Sequence, residues 1–109
     1  MFVADPAGAV DFLRAVFGAA GDVPQGRPAE IRIGDALVMV SGTEEREAFP
    51  VFLHVYVDDA DAAFRRAADA GATVLEEPFD TPYGDRRAMV RDPFGNVFQI
   101  ATARRAARQ

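Results

Sequence analysis

The chain has 109 residues, 50% of them hydrophobic and 27% charged, which predicts one globular domain of 1–109 with a packed core. It contains no cysteine, and all twelve basic residues are arginine, so disulfides, thiolate nucleophiles and lysine Schiff bases are excluded. The net charge of −5, the lack of an apolar run of roughly 20 residues and the absence of a leader-like start predict a cytoplasmic protein that binds neither nucleic acid nor membrane.

The first half predicts one helix followed by short strands. An alanine-rich segment with apolar residues at helical spacing lies between Asp5, a typical N-cap residue, and Gly18, which can take the left-handed conformation that ends a helix. Apolar runs at 29–33 and 36–40 predict two strands joined by a tight turn. A further strand would have to lie in 21–27, where a proline and a glycine make it short or irregular.

The second half repeats this order with longer elements. An alternating run at 51–57 predicts a strand, and a helix is predicted between Asp58 as N-cap and Gly71 as the residue that ends it. Three more strands are predicted at 73–77, 86–91 and 97–102, bounded by turns rich in proline and glycine.

In both halves an aspartate is followed thirteen residues later by a Gly-Ala pair, which points to an internal repeat. The chain therefore predicts two β-α-β-β-β modules, at about 1–50 and 51–109, with the first one abbreviated and the acidic stretch 43–47 as the linker. The local signals leave one alternative open, namely two unrelated αβ units that share an aspartate cap and a glycine stop.

The order and spacing of these motifs resemble the vicinal oxygen chelate superfamily, which includes glyoxalase I, extradiol dioxygenases and bleomycin-resistance proteins. The matching pieces are segments 10–12 with 16–19, 57–61 with 70–72, and 83–86 with the Asp-Pro-Phe-Gly-Asn turn at 92–96. The last pair is most similar to the bleomycin-resistance and PhnB-like branch. The resemblance implies an α+β fold in which the tandem modules form curved mixed sheets around a ligand cavity.

In such a fold, strand alternation separates residues that face the helices from residues that face the cavity. On this basis the predicted ligand-binding residues are Phe52, His54, Tyr56, Tyr83, Arg87, Met89, Gln99, Met39 and Arg32. Aromatic walls suit stacking on a flat ligand, and a guanidinium suits a carboxylate or phosphate. The resemblance alone, and not the alternation, assigns Met39 and Leu37 to the cavity and the loop residue Tyr83 to its rim.

Several of these residues also have a purely structural interpretation. His54 is either a wall residue bonded to a neighbour such as Tyr56, a ligand contact, or a general base. Arg86 and Arg87 are either solvated surface residues or partners of an anionic ligand group. Glu30 and Arg32 are predicted to form an ion pair across the cavity, and the arginines of 104–108 a solvated terminus.

Catalytic members of the superfamily hold a divalent cation with His, Glu or Gln at four inward strand positions. Here those positions fall on the short first segment 1–3, on Met39, on Phe52 and on Gln99, so no metal and no cofactor are expected. The resemblance thus implies metal-free binding or sequestration of an aromatic or amphipathic small molecule in a cavity completed by a homodimer, with antibiotic resistance as one role. The alternatives are a glyoxalase- or dioxygenase-type enzyme, a metal-free isomerase that uses His54, and a non-catalytic carrier.

Overall fold

The computed structural model describes residues 1–25, 27–43 and 47–103. Its helices and strands, in chain order, are α1 Pro6–Phe17, β1 Ala29–Ile33, β2 Ala36–Val40, β3 Phe52–Tyr56, α2 Ala60–Asp69, β4 Thr73–Asp80, β5 Asp85–Arg91 and β6 Val97–Ala103. The central part of the predicted linker and the arginines from 104 onward lie outside the described residues.

Both helices start and stop near the predicted residues, with one correction. The Asp5 carboxylate accepts a hydrogen bond from the Gly8 amide at 3.0 Å, and Gly18 ends α1 at φ 66°. The cap of α2 is Asp59, which accepts from the Ala62 amide at 3.1 Å; the prediction of Asp58 was wrong. The cap must directly precede the first helical residue, and Asp58 lies one residue too early.

The second module forms a four-stranded sheet in the order β3-β6-β5-β4. β3 and β6 are parallel, whereas β6, β5 and β4 are antiparallel to their neighbours. β4 continues to Asp80, beyond the predicted end at 77, because two register irregularities near Glu76 and Phe79 let the strand pass Pro78. A proline is tolerated here because β4 is an edge strand that needs no donor on its outer side.

The first module repeats this topology in reduced form. β1 and β2 pair antiparallel, and Phe2 forms a parallel bridge with Ser41 just after β2, as β3 does with β6. The strand predicted in 21–27 is absent from the described part of that segment, where a single bridge between Ala20 and Arg32 takes its place. The tandem α+β architecture with an abbreviated first module is thus confirmed.

The core lies between the helices and one face of the four-stranded sheet. Phe98 of β6 is fully buried, and its ring lies 5.7 Å from that of Phe12 and 5.4 Å from that of Phe17, so α1 packs on the second module's sheet. α2 covers the same face, where Ala88, Val90 and Ile100 are also fully buried. Within the described ranges, no helix has the length and apolar character needed to span a membrane.

Candidate functional site

The face of the four-stranded sheet that points away from the helices is called the open face here. Strand alternation and the register place two rows of side chains across it. One row runs His54, Gln99, Met89 and Glu76, and the next runs Tyr56, Ala101, Arg87 and Phe79. Phe52 on β3 and Asp85 on β5 also lie on this face, outside the two rows and at opposite ends of the sheet. The open face therefore carries six of the nine predicted ligand-binding residues.

The aromatic part of the open face is accessible to a ligand. Phe52 is 56% exposed and Tyr56 is 58% exposed, although both belong to a regular strand. The rings of His54 and Tyr56 are stacked, with centroids 5.2 Å apart and planes inclined by 16°. Such a pair offers a flat ring surface on which a planar molecule can stack.

His54 is fixed in position by its neighbours. Its Nε2 lies 3.1 Å from Nε2 of Gln99, the residue directly opposite on β6, and Gln99 is buried. When the Gln99 amide donates this hydrogen bond, Nε2 of His54 is the acceptor and Nδ1 carries the proton. His54 is exposed to solvent, so the structural contact with Gln99 and a ligand contact on the other side of the ring are compatible.

A second group of contacts surrounds Arg87. Its Nη1 donates to the hydroxyl of Tyr83 at 3.0 Å, and its guanidinium lies 4.9 Å from the centroid of the Phe79 ring. Its Nε lies 3.5 Å from Oε1 of Glu76 on the neighbouring strand. Tyr83, which is 48% exposed, thereby stands at the rim of the open face and completes the set of seven predicted residues found there.

The adjacent arginine has a structural role. Arg86 points to the opposite side, where Nε and Nη2 donate to the two carboxylate oxygens of Asp61 at 2.9 and 3.2 Å, and Nη1 lies 3.5 Å from Asp80. The hydrogen bond with Asp61 raises the pKa of Arg86 above its ordinary value. Arg86 ties α2 to β5, which leaves Arg87 as the candidate for a ligand contact.

The remaining two predicted residues, Met39 and Arg32, lie on the other sheet. Met39 pairs with Glu30 and Arg32 with Leu37, and all four side chains are exposed on one side of the β1–β2 pair. Glu30 and Arg32 do not form the predicted ion pair, since no described salt bridge joins them. The chain by itself thus does not gather all nine residues in one place.

An open groove of about 940 Å³ runs between the β1–β2 turn and β3. It is lined by residues 33–38 of the first module, by residues 53–59 of the second, and by Phe17 and Arg66 of the helices. The groove brings the exposed turn residues 34–37 of the first module beside the stacked pair of His54 and Tyr56. It does not include Met39 or Arg32.

Four residues of the open face were not predicted, namely Ala101, Asp85, Glu76 and Phe79. Asp85 is only 4% exposed, and its Oδ2 accepts a hydrogen bond from the Tyr56 hydroxyl at 3.3 Å. Its position at the start of β5 follows from the same alternation that selects Arg87 and Met89. Glu76 and Phe79 could not be assigned in this way because the irregularities in β4 break the alternation between them.

The side chains of the open face do not match the metal centre of catalytic relatives. His54 and Gln99 are adjacent but are hydrogen-bonded to each other. Across the described ranges there is no group of three or more His, Cys, Asp or Glu residues that could hold a metal ion. The side chains of the open face offer stacking, hydrogen bonding and charge pairing to a ligand.

Comparison with known sequences and structures gives consistent matches. A sequence model described as the Glyoxalase/Bleomycin resistance protein/Dioxygenase superfamily matches residues 1–100. The crystal structure of TioX from Micromonospora sp. ML1 superposes with a TM-score of 0.77 and 30% identity, and covers 94% of both chains.

Two curated relatives are similar over about two thirds of this chain. DnrV of Streptomyces peucetius, named an anthracycline biosynthesis protein, is 40% identical over 79 residues, which is 66% of this chain and 27% of DnrV. CFP32 of Mycobacterium bovis, whose name describes a glyoxylase, is 40% identical over 72 residues, 64% of this chain and 28% of CFP32. The matched stretches span at most 34% of the curated relatives' lengths.

Proposed function

The chain belongs to the glyoxalase, bleomycin resistance protein and dioxygenase superfamily, and we propose that it binds and sequesters a planar aromatic or amphipathic small molecule without a metal ion. The observation that carries this proposal is the open face, where the stacked pair of His54 and Tyr56 lies beside the exposed ring of Phe52. A sheet face with aromatic rings this exposed is typical of a surface that meets a ligand or a partner.

The character of the ligand follows from the chemistry of the same face. Stacking on aromatic rings favours flat molecules, and the neighbouring Arg87 and Gln99 can hydrogen-bond to polar groups at a ring's edge. The similarity to DnrV, a protein named for anthracycline biosynthesis, supports an aromatic natural product as the ligand. Sequestration of such a compound would give the resistance role of the bleomycin-resistance branch that the motifs resemble.

The proposal includes a homodimer that completes the cavity. β3 is the edge strand of its sheet and pairs only with β6 among the described strands, so its other edge is available. Leu37 is 54% exposed and Met39 is 42% exposed on the first sheet, whereas Phe52 and Tyr56 are exposed on the second. A second copy that places its first sheet over the open face would bring its Met39 and Arg32 close to the other seven predicted residues. The same contact would bury the exposed apolar side chains of both sheets.

Binding is tested by isothermal titration with daunorubicin, an anthracycline, and with bleomycin, a heteroaromatic glycopeptide. We expect saturable binding of at least one compound and, for Phe52→Ala, a Kd roughly 3–10-fold higher, the loss expected for one aromatic contact. Val23→Ala, which truncates an apolar residue that is 39% exposed between α1 and β1, is the control and should leave the Kd unchanged. Absence of binding by both compounds, or equal effects of the two substitutions, would contradict the proposal.

The dimer is tested separately by sedimentation equilibrium over 1–100 μM protein. We expect a dimer that Leu37→Glu dissociates, because a charge placed in the apolar interface would lose its hydration. A monomer over the whole range contradicts the shared cavity but leaves binding by a single chain to be judged from the titration.

A catalytic role is the second candidate, favoured by the name of CFP32 and by the fixed, exposed imidazole of His54. An imidazole held in this position could move a proton on a bound substrate. Turnover of a bound compound that is abolished in His54→Ala, with the Kd retained, would replace sequestration by catalysis.

A further inference from the structure

Three buried side-chain atoms of the described residues have no hydrogen-bond partner, and all three lie on the open face. They are Oδ1 of Asp85 and Nε of Arg87, both on β5, and Oε1 of Glu76 on β4. Buried polar atoms in proteins are nearly always hydrogen-bonded, so unpartnered ones need an explanation. Two of them, Nε of Arg87 and Oε1 of Glu76, form an ion pair with each other at 3.5 Å, so Oδ1 of Asp85 is the atom of the three that lacks any polar partner. A buried acceptor of this kind is suited to a donor group on another molecule.

Asp85 presents an acceptor that the chain does not satisfy. Its backbone is held firmly, since its amide donates to Thr81 Oγ1 at 2.9 Å and its carbonyl accepts from the Thr81 amide at 2.8 Å. One carboxylate oxygen accepts from the Tyr56 hydroxyl at 3.3 Å, a long distance for an O–H···O hydrogen bond. The other oxygen, Oδ1, has no hydrogen-bond partner among the described residues.

Arg87 presents donors that are also incompletely used. Phe79 and Tyr83 fix the plane of its guanidinium through the ring contact at 4.9 Å and the hydrogen bond at 3.0 Å. Its Nε and Oε1 of Glu76 are 3.5 Å apart, which is an ion pair but too long for a normal hydrogen bond. Nε itself is buried, but the side chain as a whole is 23% exposed, so part of it is accessible from the open face.

Resting on the proposed function, we propose that Asp85 and Arg87 select an aromatic ligand with a hydrogen-bond donor at one end and an acceptor at the other. Two residues along one strand are separated by about 7 Å, which is close to the distance between opposite substituents of a two-ring aromatic. Asp85 accepts from the ligand's amino or hydroxyl group, and Arg87 donates to its carboxylate or carbonyl oxygen. The ring system between them lies against Tyr56.

The test uses three fluorescent probes that share one ring system: 6-amino-2-naphthoate, 2-naphthoate and 2-aminonaphthalene. The first carries both groups, the second only the acceptor and the third only the donor. We expect the first to bind at least tenfold more tightly than either of the others. This comparison uses the unmodified protein and therefore does not depend on the folding of any variant.

Two variants then test which residue contacts which end of the probe. Asp85→Asn should reduce the affinity for 6-amino-2-naphthoate to the value found for 2-naphthoate. The affinity for 2-naphthoate itself should not change. Arg87→Met, which keeps the apolar stem over Phe79, should lower the affinity for both carboxylates and leave 2-aminonaphthalene unchanged. Asp69→Asn and Arg65→Met make the same charge changes on exposed positions of α2, across the sheet, and should alter none of the three affinities.

The outcomes separate this inference from the proposed function. Equal affinities for the three probes overturn the selection by Asp85 and Arg87 but are consistent with a cavity that only stacks on aromatics. Binding of none of the three also overturns the inference, and the titration with daunorubicin and bleomycin then decides whether the proposed function stands. Equal losses for all three probes in Asp85→Asn would indicate a structural role for the carboxylate and overturn the inference as well.

Discussion

The two faces of the four-stranded sheet differ both in residue type and in burial, since one is largely apolar and the other combines aromatic with polar side chains. On the face toward the helices, Phe98, Ile100, Val90 and Ala88 are fully buried. On the open face, Phe52 and Tyr56 are more than half exposed, and the polar side chains among them are only partly hydrogen-bonded. One face stabilises the fold, whereas aromatic rings on the other remain accessible.

This difference gives a simple rule for substitutions. Changes on the face toward the helices should lower the free energy of unfolding, because they remove buried contacts. Equivalent changes on the open face should alter binding and leave stability nearly constant. The predictions below test that rule, beginning with the largest expected effect.

Phe98→Ala should cause the largest loss in the free energy of unfolding. The ring is fully buried between Phe12 and Phe17, so its removal leaves a cavity that the two helices and the sheet cannot close easily. We expect a loss of about 3–5 kcal/mol in the free energy of unfolding, measured by urea denaturation followed by circular dichroism.

Phe52→Ala is the matched control, because it makes the same change on the open face at a residue that is 56% exposed. With both variants measured in the Leu37→Glu background, in which the proposed dimer does not form, its expected loss is about 0.5 kcal/mol or less, as for most surface substitutions. Similar losses for the two variants would show that the open face is buried in the folded protein in solution, and would contradict the distinction between the faces.

Asp92→Ala should rank second. The buried carboxylate accepts from the amides of Phe94 and Asn96 at 2.9 and 2.8 Å, and Asn96 in turn accepts from the Val51 amide. Removing it leaves buried donors unpaired and loosens the turn that holds the start of β3, at a cost of about 2–4 kcal/mol. Asp92→Asn keeps one acceptor oxygen and should cost less; urea denaturation at pH 7 compares the two variants.

The carboxyl group of Asp92 also predicts a pH dependence of the free energy of unfolding. Burial raises the pKa of Asp92 above its ordinary value of 3.8, although hydrogen bonds from Asn96 and Phe94 oppose the shift. Between 3.8 and the raised pKa the folded protein binds more protons at this residue than the unfolded chain, so this contribution to stability falls as the pH rises. The stability of the native protein relative to Asp92→Asn should therefore be greater at pH 4 than at pH 7, and an opposite trend would show that the hydrogen bonds outweigh burial.

The elements and the orientation of their side chains were largely predictable from the sequence. The caps at Asp5 and Gly18 follow from local backbone chemistry. The shared position of Phe52, His54 and Tyr56 on the open face follows from the two-residue period of a strand. The repeat could be recognised because each module has the same sequence of cap, helix, stop and strands.

Most of what the sequence did not reveal depends on partners from distant segments, and one difference is local. The shift of the α2 cap from Asp58 to Asp59 is a one-residue difference between two equally good capping side chains. The contact of His54 with Gln99 and the position of Glu76 beside Arg87 require the strand register, which the irregular β4 changes locally. The buried, incompletely bonded carboxylate of Asp85 has no local signature, because burial is a property of the assembled sheet.

The smallest expected effects separate the two adjacent arginines. Arg86→Met breaks the paired hydrogen bonds to Asp61 and should lower the Tm by less than Asp92→Ala does, since both partners are partly exposed. The loss should shrink in 1 M NaCl, where charge interactions are screened, and the affinity for the naphthoate probes should not change. Arg87→Met should show the reverse, with altered affinity and a nearly constant Tm. Thermal unfolding at low and high salt beside the probe titrations decides between them, and a loss of probe affinity in Arg86→Met equal to that in Arg87→Met would mean that the two faces are not independent.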